Sequence, residues 1–172
     1  EFPERFIEVG VAEQNLVTVA AGMAAMGKIP FTSSYAAFSP GRNWEQIRTT
    51  IALNDVNVKI VGSHAGVSVG PDGATHQMLE DIALMRSLPN MQVIIPCDSV
   101  QAQKVTELLA KSAKPAYLRL AREATPVVTT ADTPFTFGKA EVYRQGTDVT
   151  IVATGTMVYQ ALVAADKLSK DG

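Results

Sequence analysis

The chain has 172 residues, of which 47% are hydrophobic and 19% charged, which is the composition of a globular protein rather than a disordered or fibrous one. Its net charge of −2 gives no reason to expect nucleic acid or an anionic membrane as a partner, and its longest apolar-leaning run, Leu16 to Met26, is too short to span a bilayer. The single cysteine, Cys97, cannot form an internal disulfide, which favours a cytoplasmic location. No signal peptide is visible and the chain lacks an initiator methionine, so we interpret it as a piece of a longer protein.

Apolar periodicity predicts alternating strands and helices over the first 120 positions. In chain order, we predict a helix at 12–26, a strand at 29–33, a helix at 41–53, a strand at 56–61, a helix at 78–86, a strand at 91–95, a helix at 99–110 and a strand at 116–120. Gly27 is placed to end the first helix, and Asp98 or Ser99 to cap the fourth. In the third helix we expect these side chains to face the core: Leu79, Ile82, Ala83 and Met85. Such alternation is typical of an α/β fold, a parallel sheet with helices on both faces.

The pattern changes after Arg122. The segment from Thr125 to Pro134 holds two prolines and four threonines with little apolar periodicity, which is typical of an extended linker. Beyond it we predict strands at 140–143 and 149–153 and a helix at 157–169, which is too little for a domain core. The sequence therefore predicts one domain over 1–124, a linker over 125–134, and the incomplete beginning of a second α/β domain over 135–172.

Both histidines of the chain fall in one stretch, from His64 to His76, directly after a predicted strand. The stretch also holds Asp72 and three glycines. Imidazole changes charge near neutral pH, glycine lets a ligand approach the backbone, and ligands of α/β sheets bind beyond the carboxyl ends of the strands. We therefore predict a substrate site here; the alternative is that each histidine is a solvated or capping residue. A metal site is disfavoured, because no third ligand has a recognisable spacing.

Three other places carry side chains of chemical interest. Glu13 opens the first helix, where a carboxylate often only complements the helix dipole, but its neighbours are apolar and a buried carboxylate can hold or share a proton. Tyr35 and Phe38, beyond the first predicted strand, are either core residues or a stacking wall for a flat heterocycle. Arg119 and Arg122, at the end of the fourth predicted strand, are either surface charges or ligands for an anion such as phosphate.

Together these segments resemble the transketolase family of thiamine diphosphate enzymes. The resemblance rests on FIEVGVAEQN, SYAAF, WEQIR, GSHAGVSVGPDGATHQ and LEDIA, which stand in the family's order between Phe6 and Arg122 and continue weakly into the last forty residues. The chain is most similar to the C-terminal section of transketolases encoded as two chains. The resemblance implies a pyrimidine-binding domain followed by the start of the family's C-terminal domain.

For the cofactor, the resemblance implies roles for three residues. Glu13 falls on the glutamate that protonates the aminopyrimidine ring of thiamine diphosphate, which lets the cofactor lose the proton at its thiazolium C2. Tyr35 and Phe38 fall on aromatic residues packed against the pyrimidine. Some members of the family carry a third aromatic residue just beyond, where this chain has Ser39-Pro40-Gly41. The aromatic wall is therefore expected to be thinner here.

For the substrate, the resemblance places four residues on the channel that leads to the cofactor. Asp72 would contact an α-hydroxyl group, and His76 would act as a catalytic residue at the substrate hydroxyls or carbonyl oxygen. His64 and Arg122 would hold the sugar phosphate, with Arg119 a weaker candidate. Some members of the family have a different residue at the position of His76.

The activity that the resemblance implies is transfer of a two-carbon ketol unit from a ketose phosphate to an aldose phosphate, a reaction of the pentose phosphate pathway. Asp72-Gly73 does not match the family's Gly-Asp-Gly metal motif, because Pro71 precedes it. The resemblance implies that the diphosphate and its Mg²⁺ or Ca²⁺ lie on a partner, an N-terminal transketolase section with the diphosphate-binding domain, in a homodimer or heterotetramer.

Two alternatives stay open. One is a 1-deoxyxylulose-5-phosphate synthase, although that family typically has no histidine at the position of His64. The other is a non-catalytic module that has kept the fold.

Overall fold

The computed structural model describes residues 2–170. They group into two compact units, which we call the first unit (2–94 with Ala113–Arg122) and the second unit (Ile95–Ser112 with 123–170). The first unit holds every strand of the described residues and every site residue predicted from the sequence.

The first unit is built on a parallel four-stranded sheet. Its strands are β1 (Phe31–Tyr35), β2 (Lys59–Ser63), β3 (Gln92–Ile94) and β4 (Ala116–Arg119), in the order β1-β2-β4-β3. Tyr35 pairs in register with Ser63 on β2, and Gly62 pairs with Arg119 on β4. The carboxyl ends of β1, β2 and β4 therefore meet at one edge, where α/β proteins bind ligands. The predicted α/β fold is confirmed.

The helices of the first unit are α1 (Glu13–Ala25), α2 (Trp44–Gln46), which continues into a π-helical turn (Ile47–Ala52), and α3 (Asp81–Arg86). Short 3₁₀ turns lie at Pro3–Arg5 and Gly73–Thr75. The predicted end of α1 is confirmed, since Gly27 has φ 81°. The N–H of Lys28 donates to the carbonyl of Met23 at 3.0 Å and that of Gly27 to Ala24 at 2.9 Å, which is a Schellman cap.

The core of the first unit lies between these helices and the sheet. Its largest fully buried side chains come from α1, the π-helical turn, β2, α3 and β4: Val17, Ile47, Ile51, Ile60, Met85 and Tyr117. Burying an aliphatic or aromatic side chain of this size contributes about 1.5–3 kcal/mol. This layer fixes the first turn of α1 relative to the sheet, and with it the position of Glu13.

Two predicted helices differ from the structure. The second was predicted as one α-helix over 41–53, but its last turns are π-helical, and the hydroxyls of Thr49 and Thr50 bond back to carbonyls four residues earlier. The third begins at Asp81 rather than 78, because Met78 pairs with Gly66 in an isolated antiparallel bridge. The expectation that Leu79 and Ala83 face the core is wrong: Leu79 is 60% exposed and Ala83 is exposed as well.

The first two strands lie two to three residues later than predicted. β1 runs to Tyr35 and β2 to Ser63, so Tyr35 is the last residue of a strand rather than a residue beyond it. Apolar runs mark burial, whereas ladder pairing continues through residues without an apolar side chain, such as Ser34 and Gly62, which pair with each other. The predicted bounds of both strands are therefore too early in the sequence.

The second unit contains α4 (Ser99–Lys111) and α5 (Met157–Leu168). Asp98 caps α4 as predicted, its Oδ1 accepting from the N–H of Gln101 at 2.8 Å. The predicted strands at 140–143 and 149–153 are wrong: the described residues there take no part in a ladder. A strand needs a neighbour for its N–H and C=O groups, and this unit offers none among residues 95–112 and 123–170. Across residues 2–170, no helix has the length and apolar character needed to cross a bilayer.

Candidate functional site

Four rings lie together at the carboxyl edge of β1 and β2: Tyr35, Phe38, His64 and His76. The ring of Tyr35 is stacked on His64, with centroids 3.9 Å apart and planes 13° apart, and is nearly parallel to Phe38 at 6.3 Å. His76 meets both aromatic rings edge-on, at 6.1 Å from Tyr35 and 5.3 Å from Phe38. The structure thus brings together four residues that the resemblance places at the cofactor or on the channel leading to it. We call them the ring cluster.

His64 reaches Tyr35 because of an unusual backbone conformation. It directly follows β2 and has φ 55°, in the left-handed region that few residues other than glycine adopt. The hydroxyl of the preceding Ser63 lies 3.1 Å from His64 Nδ1 and also donates to the carbonyl of Ser34 at 3.2 Å. Such conformations cost free energy and concentrate at functional sites.

His76 is brought back to the ring cluster by closure of the histidine loop, a name we use for residues 64–78. The N–H of Gly66 donates to the carbonyl of Met78 at 2.8 Å, and Met78 returns the bond at 3.4 Å. Inside this bridge, Gln77 Nε2 donates to the carbonyl of Val67 at 3.1 Å. The loop is therefore a closed unit, and its two ends both present a histidine to the ring of Tyr35.

Glu13 is linked to the ring cluster through a residue that the sequence analysis missed. The Glu13 side chain is nearly buried, and Arg42 Nη1 donates to its Oε2 at 3.1 Å. The same guanidinium lies over the ring of Phe38, 5.2 Å from the centroid. The amide of Asn43 donates to the Glu13 carbonyl at 2.7 Å, which fixes the first residue of α1. Arg42 carried no sequence signal, because the contact joins residues far apart in the chain.

Asp72 lies on the outer part of the histidine loop, and Arg122, from the segment after β4, contacts the loop from outside. Asp72 is exposed before the Gly73–Thr75 turn, and Arg122 Nη1 donates to the carbonyl of Val69. Within residues 2–170, no hydrogen bond or ion pair joins either of them to the ring cluster. The structure therefore keeps a charged rim and an aromatic centre as separate parts of the predicted site.

Arg119 is held in a buried ion pair rather than open to an anion. Its Nε donates to Asp81 Oδ2 at 2.8 Å, and the hydroxyl of Tyr117 donates to the same oxygen at 2.8 Å. Burial, with the neighbouring Asp81 charge, raises the pKa of Tyr117 far above its ordinary value, so its hydroxyl stays a proton donor. Asp81 also escaped the sequence analysis as a functional residue, since it lies on the helix that follows the loop.

Two family descriptions match consecutive parts of the chain: "Transketolase, pyrimidine binding domain" over residues 1–128 and "Transketolase, C-terminal domain" over 138–172. The chain is 48% identical to a protein of Methanocaldococcus jannaschii that is assigned as a transketolase C-terminal section. It is 44% identical to the 6-deoxy-6-sulfo-D-fructose transketolase subunit of a Clostridium species. Both alignments cover 100% of this chain but 55% and 53% of the relatives, so the chain spans about half their length.

A solved structure has the same fold. It is described as a split gene transketolase, an inactive β4 tetramer, and it matches with a TM-score of 0.91 and 47% sequence identity. The match covers 99% of this chain and 55% of that chain.

Proposed function

This chain belongs to the transketolase family, and we propose that it is the C-terminal section of a two-chain transketolase. The whole enzyme would transfer a two-carbon ketol unit between ketose and aldose phosphates, using thiamine diphosphate. One observation carries the proposal: a nearly buried carboxylate, Glu13, connected through Arg42 to a cluster of flat rings. A carboxylate beside a flat apolar wall is what an aminopyrimidine ring requires.

The residues present fit the pyrimidine half of that cofactor. Glu13 Oε2 accepts from Arg42, while no described residue forms a hydrogen bond with Oε1, which leaves that oxygen for a ligand. Phe38 and Tyr35 offer nearly parallel faces, 10° apart, for a planar ring. When bound, thiamine diphosphate would supply the nucleophilic carbon for ketol transfer. Glu13 would hold the proton that the ring needs, and the aromatic faces would exclude water from it.

The substrate side of the proposal uses the histidine loop. His76 lies edge-on to both aromatic rings, so a substrate carbonyl placed over the cofactor would be within its reach. His64 is held flat on Tyr35, and its ring nitrogens can meet a sugar hydroxyl or phosphate oxygen. Asp72 and Arg122, on the exposed rim, would contact a hydroxyl and the phosphate, since guanidinium binds phosphate as a planar fork.

The diphosphate half of the cofactor needs a partner in this proposal. Across residues 2–170, no three His, Cys, Asp or Glu side chains group closely enough to hold a metal ion. We assign the diphosphate and its Mg²⁺ or Ca²⁺ to an N-terminal section in a cytoplasmic dimer or heterotetramer. The domain organisation belongs to the same proposal: a pyrimidine-binding domain over 1–124, a linker over 125–134 and the start of the C-terminal domain over 135–172. The assignment of a partner is supported by the similarity to the split gene transketolase, because that assembly is described as an inactive β4 tetramer.

The test is Glu13→Gln in the enzyme reconstituted with an N-terminal section. The amide cannot share a proton with the pyrimidine ring, so we expect hydrogen–deuterium exchange at the cofactor's C2 to fall by two orders of magnitude or more, a loss within the range of a general acid–base group. Exchange is followed by NMR of the cofactor after acid quench.

The matched control is Glu45→Gln, since Glu45 is an exposed glutamate on α2. It should exchange at the wild-type rate. C2 exchange at the wild-type rate in Glu13→Gln would contradict the proposed role of Glu13.

A further inference from the structure

The buried Asp81 carboxylate has no role in the site proposed above. Asp81 is 0% exposed, and its Oδ2 accepts from Tyr117 and from Arg119, both at 2.8 Å. Its Oδ1 is buried without a hydrogen bond from any described residue. Separating the partners of a buried ion pair would leave an uncompensated buried charge, which costs free energy. The pair therefore keeps both side chains in one geometry. Asp81 thus fixes the guanidinium of Arg119.

Arg119 in turn lies against the backbone of the histidine loop. Gly66 has φ 88°, and a Cβ built on it would stand 3.2 Å from Arg119 Nη2. Gly66 is also the residue that closes the loop with Met78. The loop therefore closes directly against the fixed guanidinium of Arg119, because Gly66 has no side chain to separate its backbone from that group.

A second arginine contacts the same stretch of backbone. A Cβ at Gly70, which also has φ 88°, would overlap Arg122 Nη1, and that nitrogen donates to the carbonyl of Val69. Two glycines of the loop thus lie against two arginines, one at the end of β4 and one three residues beyond it. Among the described residues, Arg119 is the one of these two arginines whose guanidinium pairs with a buried carboxylate, that of Asp81.

We propose that Asp81 and Arg119 are positioning residues for the histidine loop. Asp81 holds the Arg119 guanidinium under Gly66, and this contact sets the direction in which the loop leaves β2 with His64 flat on Tyr35. Neither residue touches the substrate in this arrangement. The proposal deepens the proposed function and rests on it for its kinetic readout, whereas its structural readout stands alone.

The structural test compares Asp81→Asn and Arg119→Lys with Asp55→Asn in the full chain, both by itself and mixed with an N-terminal section. Asparagine keeps the size of Asp81 without its charge, and lysine keeps the charge of Arg119 without the planar fork. Asp55 is the matched control, because it pairs with Lys114 at the same 2.8 Å but on the surface. The readout is hydrogen exchange of the bonded amides of Ala65, Gly66 and Met78.

We expect loop amides to exchange about tenfold faster or more in Asp81→Asn and Arg119→Lys, a loss in the range of a charge-assisted contact, with α1 amides unchanged. Asp55→Asn should match wild type. If Asp81→Asn does not fold, Arg119→Lys decides alone. Loop exchange equal to that of Asp55→Asn in every folded variant would overturn the proposal.

The kinetic readout separates positioning from general destabilisation. In the reconstituted enzyme, Arg119→Lys should raise the KM for the phosphorylated donor several-fold while C2 exchange of the bound cofactor stays at the wild-type rate, because Glu13 is not on the loop. A fall in the C2 exchange rate by the same factor as the rise in KM would overturn the proposal. If the wild-type complex shows no ketol transfer, the proposed function fails, and the loop exchange still decides the positioning role.

Discussion

Replacing Asp98 by alanine should loosen both the start of α4 and the segment that follows β4 in sequence. Asp98 is nearly buried, and its two oxygens accept from Gln101 N–H at 2.8 Å, Val128 N–H at 2.8 Å, and Thr129 N–H and Oγ1 at 2.7 Å each. Loss of a helix cap costs about 1 kcal/mol. Donors left unsatisfied cost about 1–3 kcal/mol each when buried, and Thr129 is buried. We therefore expect a loss of about 3 kcal/mol.

The assay is urea unfolding together with hydrogen exchange at Val128 and Thr129. Asp98→Asn should lose roughly half as much stability. Its remaining oxygen still accepts hydrogen bonds, whereas its NH₂ group would face the N–H groups of Val128 and Thr129 and accept none. Glu107→Ala is the control: it removes an exposed carboxylate from the same helix and should cost a few tenths of a kcal/mol. An Asp98→Ala protein within experimental error of Glu107→Ala would refute the reasoning.

The same carboxylate predicts a pH dependence. Burial opposes its charge, but hydrogen bonds from Gln101, Thr129 and Val128 outweigh burial and lower the pKa of Asp98. A lowered pKa means that its contribution to stability is complete above the unfolded-state pKa and is lost as the pH falls through the folded value, below about pH 4. The protection factor of the Thr129 amide should therefore fall in acid in the wild type more than in Asp98→Ala.

Three further predictions follow from other residues. Arg122→Ala should lower kcat/KM of the reconstituted enzyme about ten- to a hundredfold for phosphorylated donors but not for unphosphorylated analogues; equal losses would make the arginine structural. Tyr35→Ala and Phe38→Ala should each weaken thiamine diphosphate binding about tenfold by calorimetry, and unchanged affinity would exclude a stacking wall. Burial lowers the pKa of Lys59 to about 8, so wild-type stability should rise between about pH 8 and 10 relative to Lys59→Met, and parallel pH curves would contradict this.

Local patterns in the sequence were enough to predict α1 and α4. Leu16, Val17 and Ala20 recur at helical spacing, and Gly27 and Asp98 are side chains whose capping geometry depends only on near neighbours. The strands at 140–143 and 149–153 were predicted from equally local patterns and were wrong. A strand depends on a partner that its own residues do not specify.

The site was predictable where chemistry-bearing residues cluster in sequence and not where they meet only in the fold. His64 and His76 stand on one loop, so a joint role could be proposed from the sequence, whereas the position of Tyr35 beside them depends on the register of β1 with β2. Arg42 and Asp81 act through partners far away along the chain, and no spacing marks such pairs. Their importance is visible only from burial and hydrogen bonding in the folded chain.

The proposal that this chain is half of an active site is tested by whether its cofactor binding and ketol transfer depend on a partner. Calorimetry should measure thiamine diphosphate binding, and a coupled assay ketol transfer, for the chain alone and for the chain mixed with an N-terminal transketolase section, both with Mg²⁺. We predict weak cofactor binding and no turnover for the chain alone, and tight binding with turnover for the mixture. Full ketol transfer by this chain alone, at any Mg²⁺ concentration, would contradict the proposed function.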